Sequence, residues 1–119
     1  MGLLSRMLGG RPGAAAITET IGDAVRVLPG VVQSSLVFNH QPHASGAVSG
    51  VVDVSDTPTF LEVLRTVRRV LEPLLGDGAD RVTFYLTGRT LDGASVQPGD
   101  LGLSQPPSGR EIRQRLLGS

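Results

Sequence analysis

Between Asp56 and Gly76 the chain carries the pattern that most limits its fold. Phe60, Leu64, Val67, Leu71 and Leu74 recur at alternating steps of four and three residues, and Val63 and Val70 widen the stripe. Glu62, Arg65, Arg68, Arg69 and Glu72 fall on the opposite side. This is the period of an amphipathic helix. A long helix with one apolar stripe needs a second apolar surface to cover it. Its start is marked twice. Thr57-Pro58 offers an N-cap with proline at the first helical position, where the missing N–H costs least. Thr59 and Glu62 offer a capping box two residues later. Pro73 is expected to kink or end the helix, with a loop at Gly76–Gly78.

The covering surface must come from the neighbouring segments. Residues 14–28 predict a second helix, with Ile17, Ile21, Val25 and Leu28 on one stripe and Pro29-Gly30 as its stop. In residues 31–38 the period drops to two. Val32, Leu36 and Phe38 face inward; Val31, Gln33, Ser35 and Val37 face outward. Residues 46–54 repeat the alternation, with Val48, Gly50, Val52 and Val54 on one face and Ala47, Ser49, Val51 and Asp53 on the other. The stretch "NHQPHASG", residues 39–46, then reads as a long exposed loop joining an antiparallel hairpin. Residues 81–87 predict a third strand, with Val82, Phe84 and Leu86 inward and Arg81, Thr83, Tyr85 and Thr87 outward.

After Gly88 the texture is that of a loop, which Val96, Leu101 and Leu103 are placed to pin. Residues 108–117 form a short helix, capped by Ser108 and carrying Ile112 and Leu116 on its apolar side. The expected fold is therefore α+β. It is an α-β-β-α-β two-layer sandwich with a three-stranded sheet and two helices on one face, plus an irregular C-terminal tail with a short terminal helix. The crossover into the third strand is right-handed. Strand orders 2-1-3 and 1-2-3 both satisfy the pattern. The divisions are a flexible leader at 1–13, a core domain at 14–88 and a tail at 89–119.

Composition narrows the function. Eleven basic and eleven acidic residues cancel, and every basic residue is arginine. Such a balance gives no electrostatic case for nucleic acid. With no cysteine, thiolate metal sites and cysteine nucleophiles are excluded. No apolar run reaches the roughly 18 residues of a membrane span, and "MGLLSRMLGG" lacks the apolar stretch of a signal peptide. The expected compartment is the cytoplasm. Leu3, Leu4, Met7 and Leu8 still make a short amphipathic stripe, an alternative anchor for a membrane surface or a partner.

The segment "AAITETIGDAVRVLPGV", a small helix closed by a PGV turn, followed by strand pair, helix and strand, resembles two families of small modules. One is the BON domain, whose second strand and following helix are similar to "VSGVVDVSDTPTFLEVLRTVRRVL". The other is the alkaline-shock envelope family, with its helix, GV, strand opening and long second helix. The resemblance covers roughly residues 14–88 and brings no catalytic residues. It implies a non-enzymatic module, often near an envelope, that binds a partner or a lipid surface. The hairpin tip is longer, and the second helix lengthier, than the BON pattern has.

Candidate sites follow from these placements. His40 and His43 are the chain's two histidines, but a zinc site takes three or four protein ligands and no acidic residue stands nearer than Asp53. They support only an alternative reading as a small ligand- or metal-binding protein or enzyme. The acidic residues occupy turns and caps, where Asp is at home; no catalytic residue and no cofactor is assigned. Arg65, Arg68 and Arg69, and again Arg110, Arg113 and Arg115, could form basic ridges, but no aromatic platform accompanies them. The outward sheet face is different. Val31, Gln33, Ser35, Val37, Ser49, Val51 and Tyr85 make it small, weakly polar and almost uncharged apart from Asp53 and Arg81. That suits a protein partner or a second copy of the chain, unless the tail folds back over it.

Overall fold

The computed structural model describes residues 13–41 and 44–118. Helix α1 (Ala14–Arg26) leads into strands β1 (Val31–Gln41) and β2 (Ala44–Val54), helix α2 (Thr57–Leu75) and strand β3 (Val82–Arg89). Beyond them lie the short strand β4 (Ser95–Val96) and helix α3 (Gly109–Leu116). The class is α+β as expected, but the sheet has four strands rather than three, in the order β1-β2-β3-β4. It is mixed, since β2 pairs antiparallel with β1 and parallel with β3. Of the two orders the pattern allowed, 1-2-3 is the one adopted.

The core lies between the sheet and the helices. Ile17, Ile21 and Val25 of α1 and Phe60, Leu64, Val67 and Leu71 of α2 are buried against Phe38, Val48, Val52, Phe84 and Leu86. Gly50 sits between Val48 and Val52 in β2, in a row with Leu36 and Leu86. Its φ is +143°, and a Cβ there would lie 1.9 Å from the Ser35 carbonyl oxygen. The two hairpin strands meet closely at this point because no side chain intervenes.

Several local expectations are corrected. Most of the octet 39–46 is strand: Gln41 pairs with Ala44, so only residues 42–43 separate β1 from β2. The long loop is replaced by extended strands because backbone pairing continues past the last inward apolar residue. A bulge between Val31 and Gln33 reverses the first residues of β1. Val31 turns onto the core and Val32 is 62 % exposed; an inserted residue flips the alternation before it. Asp56, not Thr57 or Thr59, caps α2, accepting from the Thr59 N–H at 3.0 Å and the Thr59 hydroxyl at 2.5 Å. These bonds hold the Asp56 carboxyl below its ordinary range. The helix runs through Pro73 to Leu75. So near the C-terminus, a missing N–H disturbs little of the ladder that follows.

The largest correction concerns Arg68, which is 2 % exposed rather than outward. Its Nε donates to the Gly109 carbonyl at 3.0 Å, Nη1 to Glu72 at 2.9 Å and Nη2 to Asp80 at 2.7 Å. Asp80 also takes a two-bond contact from Arg113, at 2.9 and 2.8 Å. Arg65 donates to the Leu116 carbonyl at 3.1 Å, at the end of α3. A buried charge must be paired on every side to be tolerated, and a planar guanidinium can meet three partners at once. Gly109 has to be glycine for this contact, since a Cβ would lie 1.9 Å from the Ala79 carbonyl oxygen.

These contacts between α2, Asp80 and α3 hold the tail along the outer edge of β3. There the Phe84 N–H donates to the Pro107 carbonyl at 2.9 Å, Thr83 bridges Ser108, and Gly88 and Arg89 pair with β4. Val96, Leu103 and Ile112 join the same core. At the opposite edge, Thr18 of α1 reaches the backbone of β1, its hydroxyl accepting from the Phe38 N–H at 2.9 Å.

Two substitutions test these features. Gly50→Ala should lower stability by more than about 1 kcal/mol, the cost expected where an L side chain meets a positive φ and a backbone clash, read from urea unfolding. Asp80→Asn should cost about 2 kcal/mol at pH 7, less than for fully buried pairs because Asp80 is 21 % exposed. Arg113, ahead of Arg68, holds the Asp80 carboxyl well below the usual carboxylate range. Its contribution is therefore complete above the unfolded value of about 3.9 and fades as pH falls below it. The variant should show a flatter loss of stability as pH falls from about 4 downward, on the order of one carboxylate's share.

Candidate functional site

Strand pairing assembles the outward residues into rows that cross three strands. Val37, Ser49 and Tyr85 form one row and Ser35, Val51 and Thr87 the next. Asn39, Ala47 and Thr83 lie at one end, Gln33, Asp53 and Arg89 at the other. The sequence builds this face from β-branched and small hydroxyl residues, which sit well on a pleated surface. Leu36, Phe38, Phe84 and Leu86 point the other way, into the core beneath the helices.

The face is open. Val37 is 46 %, Val51 39 % and Tyr85 53 % exposed, and with Val32 they make up four of the six large apolar residues that stand exposed among the described residues. The tail does not fold over them; it follows the β3 edge, where Gln97 meets the Thr87 hydroxyl at 3.2 Å. Behind that rim a cavity of about 210 Å³ lies between residues 84–87 and Gln97, Pro98, Gln105 and Pro106. It is smaller than the roughly 300 Å³ at which small-molecule sites begin, and fits one apolar side chain.

Of the expected face residues, Gln33, Ser35, Val37, Ser49, Val51 and Tyr85 share this surface. Val31 does not, because of the bulge. The cation of the face is Arg89 rather than Arg81, which belongs to the 3-10 turn Gly76–Arg81 that precedes β3. Arg89 holds Asp53 through two bonds, at 2.7 and 3.2 Å. That contact raises the guanidinium's pKa and neutralises the end of the face. The strand that the sequence predicts ends at Thr87 and so leaves Arg89 out. Its one legible signal was the alternation itself, which puts residue 89 outward if the strand continues.

The other candidates are dispersed. His40 lies on the helix side of β1, edge-on to Phe38 with ring centroids 5.0 Å apart. His43 lies outside the described residues, as do Leu3, Leu4, Met7 and Leu8. Among the described residues no three of His, Cys, Asp and Glu gather closely enough to hold a metal ion, and no helix is long and apolar enough to cross a membrane. A cleft at the ends of β2 and β3 has Asp56 and Asp92 in its lining. Both carboxylates are already engaged locally: Asp56 by Thr59, Asp92 by the Thr90 hydroxyl and the Ala94 N–H. The expected basic ridges are interrupted. Arg68 is buried, Arg65 pairs with Glu62 at 2.8 Å, and Arg115 lies 3.7 Å from Glu111.

No family model, curated protein or solved structure matches the chain. Side chains as exposed as those of Val37 and Tyr85 contribute little to folding, so Val37→Ser and Tyr85→Ser should each change unfolding free energy by no more than about 0.5 kcal/mol. Loss of several kcal/mol in thermal or urea unfolding would assign these residues to the fold instead.

Proposed function

We propose that the chain is a non-enzymatic protein-interaction or oligomerisation module whose open sheet face is its binding surface. The carrying observation is the concentration of exposed apolar side chains on one face: Val32, Val37, Val51 and Tyr85, among serines and threonines. Contiguous exposed apolar surface of this kind marks association sites. The core of such a site is poor in charge and has an aromatic anchor; here Tyr85 supplies the anchor, and the Asp53–Arg89 pair stands at the border. Kinship with BON or alkaline-shock envelope modules, and a place near an envelope, belong to the same reading.

The test uses the full chain as bait. Affinity purification from the native host should recover a defined set of proteins, this chain included where it self-associates. Val51→Arg places a charge in the centre of the face and should reduce recovery by about tenfold or more. Equal recovery by the variant and the parent would remove the face from the function.

A further inference from the structure

We infer that the occupant of the open face is a second copy of this chain, placed by a two-fold axis that runs parallel to β2. This rests on the reading above and names its partner. An axis along β2 exchanges β1 of one copy with β3 of the other and keeps each row of the sheet opposite itself. Val37, 46 % exposed, then meets the second copy's Tyr85, 53 % exposed. Ser35 meets Thr87, a hydroxyl facing a hydroxyl, by the same exchange. Val51 and Ser49, on the middle strand, meet their own counterparts. In the two central rows Val37 packs on the Tyr85 ring and Val51 on its own counterpart, while each serine and threonine hydroxyl finds another hydroxyl.

Charge follows the same symmetry. Gln33 falls opposite Arg89, whose guanidinium is already held by Asp53 of its own copy. The two Asp53 carboxylates approach only at the end row, each carrying its arginine, so this row forms a hydrated rim. No unpaired charge enters the centre. The two-fold also sets the strands of the copies nearly parallel, the aligned arrangement in which twisted sheets pack at about 30°. In an isologous contact of this type the same patch serves both sides.

The size of the face sets the strength. Strands about 4.8 Å apart and rows about 6.8 Å apart give each copy a patch on the order of 500 Å². The pair buries on the order of 1,000 Å², the low end for specific association. The dimer therefore dissociates in the micromolar range or above.

Sedimentation velocity of the full chain from about 1 μM to about 1 mM should show a reversible monomer–dimer equilibrium. Val37→Arg and Tyr85→Glu should each raise the dissociation constant at least about tenfold. Combined in one chain, they should recover much of the affinity, because each new arginine faces the other copy's new glutamate. Circular dichroism verifies that all variants are folded. The absence of native cysteine allows a second measurement. Ser49→Cys, on the axis, should cross-link to itself with a short bis-maleimide, and Leu91→Cys, exposed but off the face, should not. A monomer at every concentration overturns the second copy, while the interaction reading still stands if Val51→Arg abolishes capture of other proteins. A dimer indifferent to both single variants overturns the second copy on this face, and the interaction reading falls with it only if Val51→Arg also leaves capture of other proteins unchanged. A double variant no better than the singles, or equal cross-linking at Leu91→Cys, overturns the two-fold.

Discussion

The guanidinium of Arg68 joins parts of the chain that sequence separates widely. Among the described residues it is the one charged side chain that is buried. Its three bonds reach along α2 to Glu72, to Asp80 just before β3, and to Gly109 at the start of α3. A cation in such a place is costly unless every donor is met. The tail is thus fixed to one position relative to α2, and its seat along the β3 edge follows. Because the tail lies at the edge, the outward face stays uncovered.

Much of this was legible. The stripes of α1 and α2 and the alternation in β2 and β3 are direct consequences of helix and strand geometry, and the chain follows them. What was not legible depended on contacts distant in sequence. Arg68 sits at an outward position by periodicity, but α3 lands on that side of α2 and makes it inward. Val31 and Val32 exchanged faces through a bulge, which a two-residue period cannot show. β4 is two residues long, and its pairing with Gly88 and Arg89 is set by the tail's path rather than by any run of strand-forming residues.

The face itself was mostly readable, because alternation alone assigns Gln33, Ser35, Val37, Ser49, Val51 and Tyr85 to one side. Its electrical neutrality was not, since it depends on Arg89 reaching across to Asp53, 36 residues away in sequence. The histidines show the opposite case. Their spacing suggests a ligand pair, yet His40 packs on Phe38, on the side of the sheet where the helices lie.

The Thr18 hydroxyl on the Phe38 peptide has a consequence for what this molecule can recognise. At that point of one margin of the sheet a side chain occupies the backbone; at the other margin the tail does the same. A strand joining either margin would read mainly main-chain groups, which nearly any sequence offers. With the margins stoppered there, the proposed association would fall to the face, where identity is judged side chain by side chain. Selectivity then rests on a handful of surface positions that can change one at a time without disturbing the framework beneath.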